Sequence, residues 1–294
     1  MLKPPLASIL IILLTLCALK PLASPQVPDY IIYKGDTMAT YTLMLEQYFQ
    51  LQEKPDHGSL FGLSFREGSS FSCWRGYQAI YKIENDSLFL VDIIGCGARS
   101  SGKINKLASV EKLKTLFKDK FLNERVFMHW VSNDIKFPLT NKVLRWDGVF
   151  YVIYEREKVI SISNGIILKT EDVQNYINDP NRINRRDKSI ISGLLFKKLK
   201  KAKWKNGYDY DCSEKYMITI DENGSVSKVR MLLSAEEIKE SYDKNEYEYC
   251  INNILNALKS VKFDIIKDMG KPIAEEIYIE IWVEDNGKLE NWTH

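Results

Sequence analysis

The residue pattern with the most direct chemical potential is Ser-x-x-Lys, in which a lysine can activate a serine nucleophile. Among its occurrences are Ser100–Lys103, Ser109–Lys112 and Ser225–Lys228. A lysine-rich chain supplies this many occurrences by chance, and the Lys-Thr-Gly element that accompanies the pattern in penicillin-binding enzymes is absent from the sequence. GxSxG, HExxH and phosphate-binding glycine loops are absent as well. We therefore predict no catalytic and no cofactor-binding residues, and a non-enzymatic function.

A Cys–His hydrolase is the second chemistry that the residue types allow, with His57 or His129 as the base. His129 lies between Met128 and Trp130 in a stretch that we predict to be an apolar strand, where a structural histidine is the commoner outcome. The cysteines are better explained as disulfides, which leave no thiolate to act as nucleophile.

The four cysteines that follow the N-terminal apolar segment are Cys73, Cys96, Cys212 and Cys250. An even number in an exported chain predicts disulfides. We favour the pairs Cys73–Cys96 and Cys212–Cys250, because each closes a loop within one predicted module and the first pair flanks a predicted hairpin. A zinc site is the alternative, but no Cys-x-x-Cys spacing occurs and the three histidines are scattered, so we predict no metal.

The segment Cys73-Trp74-Arg75-Gly76-Tyr77 combines a cation with aromatic residues. Arg75 could hold a carboxylate or a phosphate by bidentate hydrogen bonds, with support from the rings of Trp74 and Tyr77. The alternative is a strand arginine that stacks on its neighbours. We keep these three residues as candidate binding residues.

The N-terminus has the pattern of a secretory signal. Lys3 precedes an uninterrupted apolar run over 6–19, which is too short for a comfortable membrane span. We predict that residues 1–24 are a signal peptide and that the mature protein is exported to the periplasm or cell envelope. Lipidation at Cys17 is the less favoured alternative, because Leu16 stands where a small residue is expected.

Charge is balanced overall but distributed unevenly. Removing residues 1–24 takes away two of the 41 basic residues and none of the 39 acidic ones, so the mature chain is neutral and a nucleic-acid partner is not expected. Residues 182–205 hold ten basic residues and one acidic residue, whereas residues 209–290 hold 19 acidic and ten basic residues. The basic stretch predicts a connector over 181–208, which could be an amphipathic helix. It could contact an anionic membrane surface, or it could dock on a domain with its lysines in water.

The predicted fold class is α+β with two small modules. Residues 25–180 read as a mostly antiparallel β domain with one or two helices, including a hairpin that turns near Asn85-Asp86. Residues 209–294 read as a ββαβ module, in which Ser234 and Glu237 form a capping box before a helix. Its last strand, Glu275–Val283, alternates apolar and polar residues. No βαβ alternation appears, so a doubly wound nucleotide-binding fold is not expected.

The C-terminal part, about residues 209–284, resembles the C-terminal domain of TonB-type energy transducers. The resemblance lies in the order of strand, Asp221-Glu222-Asn223-Gly224 turn, strand, helix, Phe263, Gly270-Lys271-Pro272 and terminal strand. It implies a periplasmic domain that binds a short receptor segment by strand addition, with Glu275–Val283 as the pairing edge. The candidate contacts on that strand are Tyr278, Glu280 and Trp282. A Pro-rich spacer and a long N-terminal span are missing, so energy transduction is not implied.

The N-terminal part, through Cys73–Tyr77 and Leu88–Ile93, is similar to an uncharacterised family of bacterial envelope proteins, a likeness that implies no known activity. The leading hypothesis is a non-enzymatic, exported binding protein with an unidentified envelope protein as its partner. One alternative is an envelope hydrolase with a site near Arg75, His57 and Asp92. Another is a structural or inhibitor-like accessory protein.

Overall fold

The computed structural model describes residues 25–51, 70–205 and 210–293, and these confirm the predicted α+β class. The predicted signal peptide, Cys17 and His57 lie outside the described residues. Within the described ranges, none of the helices has both the length and the apolar composition needed to cross a bilayer.

The strands are β1 Asp29–Tyr33, β2 Asp36–Thr40, β3 Tyr77–Glu84, β4 Ser87–Gly95, β5 Phe121–Leu122, β6 Arg125–Phe127, β7 Asp134–Pro138, β8 Val143–Trp146, β9 Val152–Tyr154, β10 Arg156–Ser163, β11 Ile166–Gln174, β12 Tyr176–Ile177, β13 Glu214–Ile220, β14 Val226–Met231, β15 Ile265–Asp268, β16 Lys271–Pro272, β17 Glu275–Val283 and β18 Leu289–Asn291. The α-helices are α1 Met44–Leu51, α2 Lys106–Phe117, α3 Ile191–Leu199, α4 Ala235–Ser241 and α5 Lys244–Leu258.

The described chain divides into two compact units that differ from the predicted domains. The first unit contains the residues up to Val131 together with Trp146–Tyr151 and Asn164–Ile166. The second contains Ser132–Arg145, Val152–Ser163 and everything from Ile167 onward. Much of the stretch 132–180, which the sequence analysis assigned to the first domain, therefore belongs to the second unit.

The first unit is built on a sheet in the order β2-β1-β3-β4, in which β4 also pairs with β6 and β6 with β5. The pairs are antiparallel except for β1 with β3. The β3–β4 hairpin turns at Asn85 and Asp86, both with positive φ, as the sequence predicted. The disulfide Cys73–Cys96 joins the outer ends of this hairpin, with Cα atoms 6.2 Å apart.

The second unit has its core between helices and the sheet β14-β13-β17-β18, which is antiparallel throughout. Gly224 closes the predicted β13–β14 turn at φ +76°, and both hydrogen bonds of the capping box at Ser234 are present. The disulfide Cys212–Cys250 ties the segment before β13 to α5 and confirms the second predicted pair.

The basic connector contributes directly to this core. Ile191, Leu195 and Leu199, on one face of α3, are fully buried among residues of α5 and the sheet. Lys197 and Lys198 are exposed. The helix is therefore docked with its lysines in water, as one of the two alternatives predicted, because an apolar face at helical spacing is stabilised most by burial.

The region around His129 differs from the sequence prediction. The strand expected over 126–131 ends at Phe127, and His129 is an exposed turn residue. Met128 and Val131 are buried, and the N–H of Val131 donates to the carbonyl of Met128 in a tight turn. Val126 and Met128 are both buried and lie two positions apart, as in a strand, so the apolar pattern alone does not show that the strand ends at Phe127.

Candidate functional site

The candidate residues Trp74, Arg75 and Tyr77 of the first unit lie at a buried polar network. The Arg75 guanidinium is 7% exposed and pairs with Asp29, which is fully buried, at 2.8 Å. Its second nitrogen donates to the carbonyl of Val27 at 3.3 Å. Trp74 is 42% exposed, and its backbone N–H joins the network by donating to Gln26.

The partner carboxylate of Arg75 is held from several sides. Asp29 accepts from the N–H of Ala79 at 2.9 Å and from the hydroxyl of Tyr81 at 2.8 Å, in addition to Arg75. The Arg75 guanidinium lies 5.1 Å from the centre of the Tyr77 ring, and the Tyr77 hydroxyl donates to Glu46. This geometry matches the alternative that we gave for Arg75, stacking on a neighbour, and an anionic ligand would have to displace Asp29.

Burial opposes the charged form of both partners of this ion pair. It would lower the pKa of Arg75, but Asp29, Tyr77 and Tyr81 together outweigh it and the net direction is upward. At Asp29 burial is the larger effect, and the pKa is raised despite Arg75 and the hydrogen bonds that the carboxylate accepts. Asp92, which the hydrolase alternative invoked, pairs instead with Lys106 at 2.8 Å. The structure therefore gives Arg75 and Asp92 different partners.

The other candidate residues lie on β17, whose two edges are used differently. Toward β13 the strand is paired from Glu275 to Ile281. On its opposite edge, β18 pairs with Ile281–Val283, and the N–H of Trp292 donates to the carbonyl of Glu280. Along an antiparallel strand, the backbone N–H and C=O groups of successive residues point to opposite sides. On the edge of β17 that faces β18, only Glu276 and Tyr278 therefore direct backbone groups to the part that β18 leaves uncovered.

This arrangement corrects the predicted pairing edge. Glu275–Val283 was expected to offer a continuous edge to a partner, but the chain's own β18 and the residues after it cover the edge from Glu280 onward. β18 was not predicted from the sequence. Asn286-Gly287, a strong hairpin signal, directly precedes it and could have indicated it.

The side chains of Tyr278, Glu280 and Trp282 share the sheet face opposite the core. Trp282 and Trp292 stack with ring centres 5.2 Å apart, and both are more than 40% exposed. The Tyr278 hydroxyl donates to Glu280, and burial together with that carboxylate raises the pKa of Tyr278 to about 12. The face is thus an aromatic surface with acidic neighbours, and Trp292 is the member that the sequence analysis did not single out.

The outer edge of β14 is the longest edge of this sheet that no strand covers in the described part of the chain. Lys262 and Phe263 bond to Ser225 and Gly224 beside its start, and the side chains of Val229 and Met231 are buried. The N–H of Leu232 donates to Lys215 of β13, so by alternation Lys228 and Arg230 also point their backbone groups at β13. Val229 and Met231 therefore direct their N–H and C=O groups away from the sheet. Among the described residues no strand pairs with them, and β14 ends the sheet order.

Two cationic side chains belong to β14. Lys228 is exposed, whereas Arg230 is partly exposed and reaches across β13 to pair with Glu276 of β17 at 3.0 Å. Charged residues on an edge strand discourage association with a second copy of the same edge, because like charges would face each other. They favour an extended segment that carries acidic residues.

Comparison with protein-family models, with curated proteins and with solved structures gave no match. The resemblance to the TonB C-terminal domain therefore stays a prediction from the sequence.

Proposed function

We propose that the chain is a non-enzymatic protein of the bacterial cell envelope that is exported and binds a partner protein by strand addition at β14. The observation that supports this best is the outer edge of β14, which no described strand pairs with and along which Val229 and Met231 direct backbone groups away from β13. An added strand would satisfy those groups, which gives affinity, while Lys228 and Arg230 would select acidic side chains.

The disulfides support the proposed location of the protein outside the cytoplasm. Cys73–Cys96 and Cys212–Cys250 are bonds that persist in oxidising surroundings, which fits a location outside the reducing cytoplasm. Periplasm or envelope is the finer proposal, and it rests on the sequence pattern of residues 1–24.

A site-specific photocrosslink tests the binding edge. A photoreactive amino acid replaces exposed Ser227 beside the edge, and a matched variant carries it at exposed Asn256 on α5. In the bacterium that makes the protein, we expect one discrete protein adduct from position 227 and none from position 256. Equal adducts from both positions, or none from position 227, would contradict strand addition at β14 and favour the structural-accessory alternative.

Charge reversal tests the chemistry of the partner. Lys228→Glu with Arg230→Glu should weaken the position-227 adduct, because the attraction to acidic side chains becomes a repulsion. Lys244→Glu, on a lysine whose side chain is 85% exposed on α5, should leave the adduct unchanged. An adduct that survives the double reversal would rule out an acidic partner segment.

A further inference from the structure

Arg185 is an arginine without exposed surface in the second unit. Its N–H donates to the Tyr176 hydroxyl at 3.2 Å, and its carbonyl accepts from the Arg145 guanidinium at 2.9 Å. Two residues earlier, Ile183 forms a parallel bridge with Phe263. The backbone of Arg185 is therefore fixed on both sides, so its side chain is held in the interior.

The guanidinium of Arg185 lacks hydrogen-bond partners among the described residues: Nε, Nη1 and Nη2 are all buried without one. The carboxylates that act on it electrostatically are Glu275 and Asp264. Glu275 is already held by Arg145, at 2.7 Å from one nitrogen, and by Lys188 at 3.3 Å. Asp264 accepts from the Tyr176 hydroxyl and from the N–H of Asp179.

An unsatisfied buried guanidinium is too costly to persist in a folded protein. Burial lowers the pKa of Arg185, but an arginine remains charged in proteins. A buried charged group that lacks hydrogen bonds costs several kcal/mol, which is comparable to the roughly 5–15 kcal/mol that stabilise a whole domain. The folded protein therefore requires a further partner at this group.

The guanidinium of Arg185 needs hydrogen-bond acceptors rather than additional negative charge. Arg145, Arg185 and Lys188 act together on Glu275, and Asp264 is the second carboxylate that acts on Arg185. In these residues, which we call the Arg185 cluster, the buried charges balance, with Arg145 and Arg185 facing Glu275 and Asp264, while Lys188 is 53% exposed. Both carboxylates already have other partners, so the free N–H donors of Arg185 call for further acceptor oxygens, which an oxyanion presents in a planar arrangement.

We propose that Arg185 anchors a binding site for a small oxyanion, of the phosphate or carboxylate class. Its planar fork of N–H donors matches the oxygen geometry of such groups. Lys188, whose side chain is 53% exposed, supplies a second cation on the solvent side. This site is independent of the β14 edge and of the proposed function.

Thermal unfolding and titration calorimetry of the mature protein test the site. Phosphate, sulfate or acetate is added at constant ionic strength, and the variants are Arg185→Met and Arg182→Met. Arg182 lies in the same segment, donates to the carbonyls of Asn223 and Phe263 and pairs with Asp179, so its loss costs structure without removing a charged group of the Arg185 cluster. We expect an oxyanion to raise the unfolding temperature of the wild type and of Arg182→Met, and Arg185→Met to bind it at least about tenfold more weakly.

The comparison of phosphate and sulfate with acetate tells which oxyanion class the site takes. A wild type that responds to none of the three, or an Arg185→Met variant that responds like the wild type, would overturn the proposal. If Arg185→Met does not fold, crystals of the wild-type protein soaked with selenate provide a second test, because anomalous diffraction locates the selenium atom. A selenium peak within hydrogen-bond reach of the Arg185 guanidinium supports the site, and ordered water alone at that position overturns it.

Discussion

The buried pair Arg75–Asp29 gives a quantitative prediction for the first unit. Arg75→Met keeps most of the side-chain volume and removes the charge, which leaves a fully buried Asp29 carboxylate without its cation. Breaking such a pair costs about 3–5 kcal/mol. Asp29 keeps the hydrogen bonds from Ala79 and Tyr81, so we expect the lower end of that range. Replacing both partners, in Asp29→Asn with Arg75→Met, should recover part of the loss, because no charge is then left buried.

Hydrogen exchange in urea, read by mass spectrometry on peptides from β3 and β4, measures this cost within the first unit alone. That choice matters because a protein with two units need not unfold in one step. Lys114→Met serves as the control: it removes a cation whose pairing with Glu111 is exposed, and it should change stability little. A cost below about 1 kcal/mol for Arg75→Met would refute the structural role and return Arg75 to the candidate ligand-binding residues.

Four further predictions concern the second unit. Replacing Cys212 and Cys250 by alanine should lower the free energy of unfolding by about 4 kcal/mol, because the disulfide closes a loop of 38 residues. Urea unfolding measures this loss. An unchanged urea midpoint would contradict the prediction. Gly224→Ala should destabilise by more than about 2 kcal/mol, because the new Cβ would overlap the carbonyl oxygen of Phe263 at a position with positive φ. Gly193→Ala, inside α3 with open space around it, should stabilise the protein by up to about 1 kcal/mol. The Gly193→Ala variant should therefore melt at a higher temperature than the Gly224→Ala variant. The reverse order would contradict the packing described for these two glycines. Burial would raise the pKa of Glu275, but Arg145, Lys188 and Arg185 together outweigh it and hold the pKa below its ordinary 4.5. Its ion pairs therefore stabilise the fold above that pH and are lost as the pH falls through the lowered pKa, so Glu275→Gln should flatten the acid side of a stability-versus-pH curve.

Local patterns predicted the second unit's elements well. The turn at Asp221–Gly224, the capping box at Ser234 and the strand Glu275–Val283 are all set by neighbours in sequence, so they can be read from it. Both disulfides were predicted for the same reason, because each closes a loop between elements that sequence patterns could place.

The features that sequence could not give depend on distant contacts. Arg75 is internal only because Asp29, far away in the sequence, lies opposite it in the fold. The pairing edge of β17 was mispredicted for a local reason: β18 is three residues long, too short for a periodic pattern, and the Asn286-Gly287 turn before it was the one signal that could have indicated it. The division of the chain into units was also out of reach, since segments such as Trp146–Tyr151 return to the first unit after the chain has entered the second.

Amide hydrogen exchange along β14, resolved by NMR, tests the central proposal most directly. In the free protein, Val229 and Met231 should exchange fast, whereas Lys228 and Arg230, bonded to β13, should exchange slowly. Adding the segment identified by the position-227 adduct should protect Val229 and Met231 and leave the other two unchanged. Fast exchange at Val229 and Met231 in the saturated complex would contradict strand addition at this edge.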